Sequence, residues 1–223
     1  MYAISTSTAI STDTTSNAPI AGQNQSMRVS NGGSAPVLSA TVAGATGEPI
    51  GPFPPDVDPE EYDKLRRRVL WKMPSGLYII GSRAGDRRNG MTANWATQLS
   101  FDPKLIGIGL EQTAFTHELI AEARAFSLNI IDREDRAIVR KFVKPVEVDN
   151  DAGTMSGFPF RDGTATGTPV LTQAVAWVEC EVRQDVACGN HTLFLGEVVN
   201  CGFQKPEETE VLRMEDTRMN YGG

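Results

Sequence analysis

From residue 76 onward the chain alternates short apolar runs with turn residues, a rhythm that predicts strands more than helices. Gly76-Leu-Tyr-Ile-Ile-Gly-Ser-Arg83, Leu105–Leu110 and Phe126–Ile131 are β-rich runs bounded by glycine or polar residues. Val170–Cys188 and His191–Phe203 flank Gly189-Asn190, a favoured two-residue hairpin turn. That turn pairs Cys188 with His191, Val186 with Leu193, Cys180 with Val199 and Val178 with Cys201. Val178, Cys180, Val182 and Val186 then share an apolar face with Leu193, Leu195, Val199, Cys201 and Phe203. Cys180 and Cys201 become diagonal neighbours, and Glu197 falls on the same face, where it needs an arginine partner. Helical signals are few. Asp58–Trp71 has a capping Asp, Pro59 at the first helical position, acids early and bases late. Thr116–Arg124 reads as a short helix with Thr116 as N-cap and Leu119, Ile120 and Ala123 as its apolar stripe. Asp132–Phe142 reads as another, with Ile138, Val139 and Phe142 inward. Residues 144–169 read as a long loop. The sum is a mainly β domain with short helices, an antiparallel barrel that is closed or nearly so.

Composition narrows this picture. Residues 1–57 are rich in Ser, Thr, Ala and Pro and nearly free of charge, so they predict a disordered N-terminal tail before a folded domain at 58–223. A net charge of -7 argues against a nucleic-acid partner, whose phosphates demand a basic face. No apolar run approaches the roughly 20 residues that cross a bilayer. The N-terminus lacks a secretory pattern, and three cysteines in 223 residues fit a reducing compartment, so a cytoplasmic, non-membrane protein is expected. Neither the cysteines nor His117 and His191 have metal-site spacing.

The chemistry concentrates in Gly90-Met-Thr-Ala-Asn-Trp-Ala-Thr-Gln-Leu-Ser-Phe-Asp-Pro103. Small side chains there let backbone N–H groups approach a flat polar ring, with Thr92, Asn94, Thr97, Gln98 and Ser100 as further donors and acceptors. From the residues alone, an ordinary polar β-turn–β segment is the favoured explanation of them. The start of the Thr116 helix offers unpaired amides and a favourable dipole to a phosphate, or Thr116 simply caps its own helix. Three further segments follow in order: Phe126-Ser-Leu-Asn-Ile-Ile-Asp132, Gly189-Asn-His-Thr-Leu-Phe-Leu-Gly-Glu-Val198 and Asn220-Tyr-Gly-Gly223.

Together, over residues 66–223, these motifs resemble the flavin reductase family of FMN-binding split barrels. The resemblance implies an antiparallel split β-barrel that uses FMN and takes hydride from NADH or NADPH. It places Met91, Thr92, Ala93, Asn94, Trp95, Gln98, Leu99, Ser100, Thr116 and Tyr221 at the cofactor, and His191 beside nicotinamide or flavin as the catalytic residue. It further implies a homodimer with flavin near the seam, which would bury outer positions such as Trp177 opposite Gly202, and a separate flavin-dependent monooxygenase as client. The chain departs from its relatives at Ala114-Phe115-Thr116, where many carry Ser-Arg-Thr or Ser-Lys-Thr, leaving Arg83, Arg87, Arg88 or Lys104 to meet the phosphate. Asn190 also replaces the usual Asp. Two alternatives stay open: another FMN-dependent oxidoreductase on the same fold, and a non-enzymatic flavin-binding protein.

Overall fold

The computed structural model describes residues 49–217 and Met219. Of the tail expected at 1–57, residues 1–48 lie outside the described residues, as does Tyr221, and residues 49–57 carry no helix or strand. Helix α1, Pro59–Leu70, follows the polarity read from sequence. Asp58 accepts the Glu61 amide at 2.9 Å, Pro59 opens the first turn, and Arg67 and Arg68 close the last. None of its residues is buried.

Seven strands form one antiparallel sheet: β1 Tyr78–Ala84, β2 Arg87–Ala93, β3 Ala96–Phe101, β4 Lys104–Glu111, β5 Ala125–Ile130, β10 Ala176–Cys188 and β11 His191–Phe203. Their spatial order is β2-β1-β5-β10-β11-β4-β3. The two edge strands, β2 and β3, are consecutive in the chain and joined only by Asn94 and Trp95. Laid flat, seven strands would hold their edges about 29 Å apart. A two-residue link spans no more than about 11 Å between flanking Cα atoms. The sheet must therefore curl until its edges nearly meet. It is not closed as a barrel: no ladder joins β2 to β3 among the described pairings.

The curl gives the sheet an inside and an outside. Inside lie Ile80, Ile108, Leu110, Phe126, Leu128, Cys180 and Phe194, plugged by Ile120 of helix α2, Phe115–Ala123. Outside, over β1 and β5, a second core holds Ile79, Ile131, Ile138, Val139, Phe142 and Leu171. The segment expected as a long loop builds this cover from a four-stranded sheet: β6 Val148–Asp149, β7 Thr154–Met155, β8 Phe158–Asp162 and β9 Pro169–Leu171. Buried Asn129 stitches it down, accepting the Leu171 amide at 2.8 Å and donating to the Ile79 carbonyl at 3.0 Å.

Several sequence expectations need correction. The run 170–188 is broken into β9 and β10 by a turn at 172–175. The 132–142 segment forms two 3₁₀ turns, Arg133–Asp135 and Ile138–Phe142, although Ile138, Val139 and Phe142 are buried as expected. Thr116 is not the N-cap of α2. Ala114 holds that position without a side-chain bond, and Ala123 is exposed.

The hairpin keeps its predicted pairing at both ends, with Cys188 opposite His191 and Val178 opposite Cys201. Two register shifts between them cancel, so Cys180 pairs with Val198 rather than Val199. Thr192, Phe194 and Gly196 therefore turn inward, while Val199, Cys201 and Phe203 are exposed. Cys180 is buried, where desolvation pushes its thiol up to about 12, and Cys201 is not its core neighbour. Glu197 sits half-buried, paired with Arg183 at 2.6 Å. Trp177 does face Gly202, but it is already buried within the chain under the Arg161 guanidinium, 4.6 Å from its ring, and needs no second subunit.

Candidate functional site

The link that closes the curl is also where the polar chemistry gathers. The Trp95 carbonyl accepts the Gly109 amide at 2.9 Å, and the indole rests on that glycine, 3.4 Å from where a Cβ would stand. Gly107 is under the same pressure: a Cβ there would lie 2.6 Å from Leu99 and 3.2 Å from Leu193. Two glycines at strand period 2 thus let Trp95 and Leu99 lie on the outer face of β4. The Trp95 ring stands 4.7 Å from the ring of His191.

His191 is fixed from two directions. Across the hairpin it pairs with Cys188, and on its other side with Glu111. The connection from β4 to α2 is tied to the same turn: the Gln112 amide donates to the Asn190 carbonyl at 3.0 Å, and Gln112 Nε2 donates to the His191 carbonyl at 3.2 Å. His191 Nδ1 lies 2.8 Å from Asn190 Oδ1. An amide oxygen only accepts, so Nδ1 donates, and in the neutral ring Nε2 carries a lone pair. That Nε2 is buried and has no hydrogen-bond partner. Asn94 Oδ1, in a residue only 7% exposed, is likewise buried without one. A buried acceptor left unpaired costs about 1–3 kcal/mol. One sits on the ring that meets Trp95 and the other on the residue that precedes Trp95, and both lack donors.

Burial holds the His191 imidazole below its ordinary pKa, with the Glu111 carboxylate opposing. The neutral ring is thus favoured in the folded chain, and acidification through the usual histidine range removes stability instead of adding it. Glu111→Gln deletes the opposing charge, so the His191 titration followed by NMR is expected to move further down. An upward move would show that Glu111 does not act on this ring.

Not every residue expected at the site is presented there. Met91 is half-buried against the inner core, and Ala93 is buried within it. Thr92 donates its hydroxyl to the Val139 carbonyl at 2.6 Å, tying β2 to the 3₁₀ turn at 138–142. Gln98 and Leu99 are exposed on β3, Ser100 is half-buried, and Gln98 Nε2 donates to the Ser100 carbonyl at 3.2 Å. Thr116 is fully buried, its hydroxyl accepting from Asn89 Nδ2 at 2.8 Å, so it faces the interior and not a ligand. The cations proposed for a phosphate are engaged too. Arg83 and Arg88 share Asp162, Arg87 holds Glu118 and Glu122, and Lys104 stands at the far end of the β3–β4 hairpin. Gly107, Gly109 and Gln112 escaped the sequence reading, although the Gly-x-Gly spacing inside an apolar strand was a usable sign of close approach.

Among the described residues nothing covers the outer face of β3, β4 and β11, in contrast to that of β1 and β5. Leu99 and Phe101 stand on β3 with Phe101 86% exposed, and Leu193 and Leu195 are only half-buried.

Residues 70–223 match the family described as "Flavin reductase like domain", and the chain belongs to that family. It is 32% identical over 157 residues to a "Ferric-chelate reductase (NAD(P)H)" of Archaeoglobus fulgidus, covering 70% of this chain and 90% of that protein. Among solved structures it is similar to the NADH:FAD oxidoreductase SgcE6 of Streptomyces globisporus C-1027, with a TM-score of 0.60 and 28% identity over 73% of this chain and 93% of that one. It is also similar to the styrene monooxygenase flavin reductase of Pseudomonas putida S12, with a TM-score of 0.56 and 26% identity over 66% and 90%. The chain spans about a quarter of the length of the cyanobacterial diflavin flavoproteins that it also matches.

Proposed function

We propose that this chain is an NAD(P)H-dependent flavin reductase whose site is the β2–β3 corner, with Asn94, Trp95 and His191 at its centre and Gln98, Leu99 and Ser100 of β3 beside it. The observation that carries the reading is two unpartnered buried acceptors, His191 Nε2 on the ring that meets the Trp95 indole and Asn94 Oδ1 on the residue that precedes Trp95. The donor set fits. An isoalloxazine offers an N3–H, and a nicotinamide offers a carboxamide NH₂. When bound, the flavin supplies the hydride-accepting N5.

The chain's own residues then bind and orient. Asn94 takes a ring donor, the Trp95 indole gives an apolar surface that excludes water, and neutral His191 accepts a carboxamide or flavin donor through Nε2 without adding positive charge beside the ring. We read the curled, unclosed sheet as the split barrel of the family, and its uncovered outer face as the seam of a homodimer. In this reading a second copy covers Leu99, Phe101 and Leu193 and walls the site from solvent. A flavin-dependent monooxygenase is the proposed client, supported by likeness to a reductase named for one.

The test is to mix the purified protein with FMN and NADH or NADPH under air. Rapid NAD(P)H loss with FMN at catalytic levels is expected, and His191→Ala is expected to lower kcat/KM about tenfold, the loss of one orienting hydrogen bond at a reacting ring. A tightly yellow protein indifferent to both nicotinamides would overturn the reductase reading in favour of a flavin carrier.

A further inference from the structure

The flavin reading leaves a question that the charges near the site answer: what the chain does with the flavin's phosphate. We infer that this chain holds a flavin by its ring and disfavours its phosphate, so that riboflavin binds more tightly than FMN; the inference rests on the flavin reading of the site. The start of α2 is an anion-accepting element tied to the site, since Gln112, two residues before the N-cap Ala114, is bonded to the hairpin turn that carries His191. A helix start contributes only about half a unit of positive charge. Here it faces more than that of the opposite sign.

Glu111 stands opposite His191, Glu118 lies in the first turn of α2, and Glu122 lies one turn on. The guanidinium that reaches this helix, Arg87, is held by both Glu118, at 2.5 Å, and Glu122, so the group carries three carboxylates to one cation. Arg124 at the other end of α2 is paired with Asp185 at 2.6 Å, and Arg83 and Arg88 are drawn away onto Asp162. The two features that could have favoured an anion locally are also lost. Ala114 gives the helix start no side-chain donor, and the Thr116 hydroxyl is buried on Asn89. A phosphate, with about two negative charges, is repelled by these carboxylates, and the repulsion weakens as salt rises.

Equilibrium dialysis of riboflavin and FMN at 20 mM and 500 mM salt tests this without relying on turnover. Riboflavin is expected to bind at least about threefold more tightly than FMN at low salt, with the gap closing at high salt because only FMN carries the screened charge. Replacing both Glu118 and Glu122 with Gln releases Arg87 and is expected to close or reverse the gap at low salt. These pairs are exposed and contribute little to folding. FMN binding equal to or tighter than riboflavin at low salt would overturn the inference and leave the flavin site standing. Binding of neither would overturn the site itself and the inference with it.

Discussion

Replacing Glu179 with leucine is expected to destabilise the chain by about 3 kcal/mol, read as a fall in the urea midpoint at pH 7. Glu179 is fully buried on β10, yet no cation pairs with it among the described contacts. Its carboxylate instead accepts the Ala165 and Thr166 amides, the Thr166 hydroxyl and Asn200 Nδ2, four donors that fold the 163–168 turn onto the sheet. Leucine leaves all four without an acceptor. Each buried orphan costs about 1–3 kcal/mol, and partial access of water to the exposed Ala165 keeps the total near the low end. Burial alone would raise this carboxyl's pKa; the bonds from Thr166, Asn200 and Ala165 outweigh it, and the folded value lies below the ordinary one. The stabilisation is therefore complete above the unfolded pKa of about 4.3 and is lost as pH falls through the lower folded value. Glu179→Gln, which cannot ionise, is expected to differ most from the parent at neutral pH and to converge on it only as pH falls below the lowered folded value. A difference that persists unchanged at acid pH would show that the charge is not what the turn needs.

Glu179 also illustrates what a sequence read in one dimension can reveal. The hairpin was legible because its turn and its alternation are local, and both ends of the predicted register are observed. Its inner row was not, because two cancelling register shifts hand the interior from Leu193, Leu195 and Val199 to Thr192, Phe194 and Gly196. A bulge reverses every side chain beyond it, and nothing in the local composition announces one. The same limit applies at the site. Trp95 and His191 could be nominated from motif order, but they meet only because β4 lies between β3 and β11, a property of the strand order. Thr92 and Thr116 were nominated by the same motifs. The fold uses both hydroxyls internally, on Val139 and on Asn89, partners 47 and 27 residues away. Polar residues in a binding motif thus divide into those that face the ligand and those that shape the strand, and only the long-range contacts tell them apart.

Gly196→Ala is expected to destabilise by about 3 kcal/mol, although the same change in a solvent-facing strand position should stabilise. Gly196 lies in the Leu-Phe-Leu-Gly-Glu stretch whose sequence invites a cofactor role, and the structure gives the glycine a packing reason instead. A Cβ there would stand 2.5 Å and 2.7 Å from the Phe126 ring and 2.8 Å from the Cys180 Cβ, all within the inner core. Strand propensity favours alanine by less than about 1 kcal/mol. Overpacking a closed core costs about 1–3 kcal/mol, and here neither Phe126 nor Cys180 has room to retreat, because both are fully buried. The clash term wins. Phe126→Leu removes the ring that Gly196 makes room for, so the double variant is expected to be more stable than the sum of the single losses by about 1 kcal/mol or more. Flavin affinity per folded molecule should stay within about twofold in both variants, since the residue points away from the outer face that carries Trp95 and His191. Strict additivity in urea denaturation would show that the two residues do not compete for the same space, and a selective loss of flavin binding at unchanged stability would return Gly196 to the binding site.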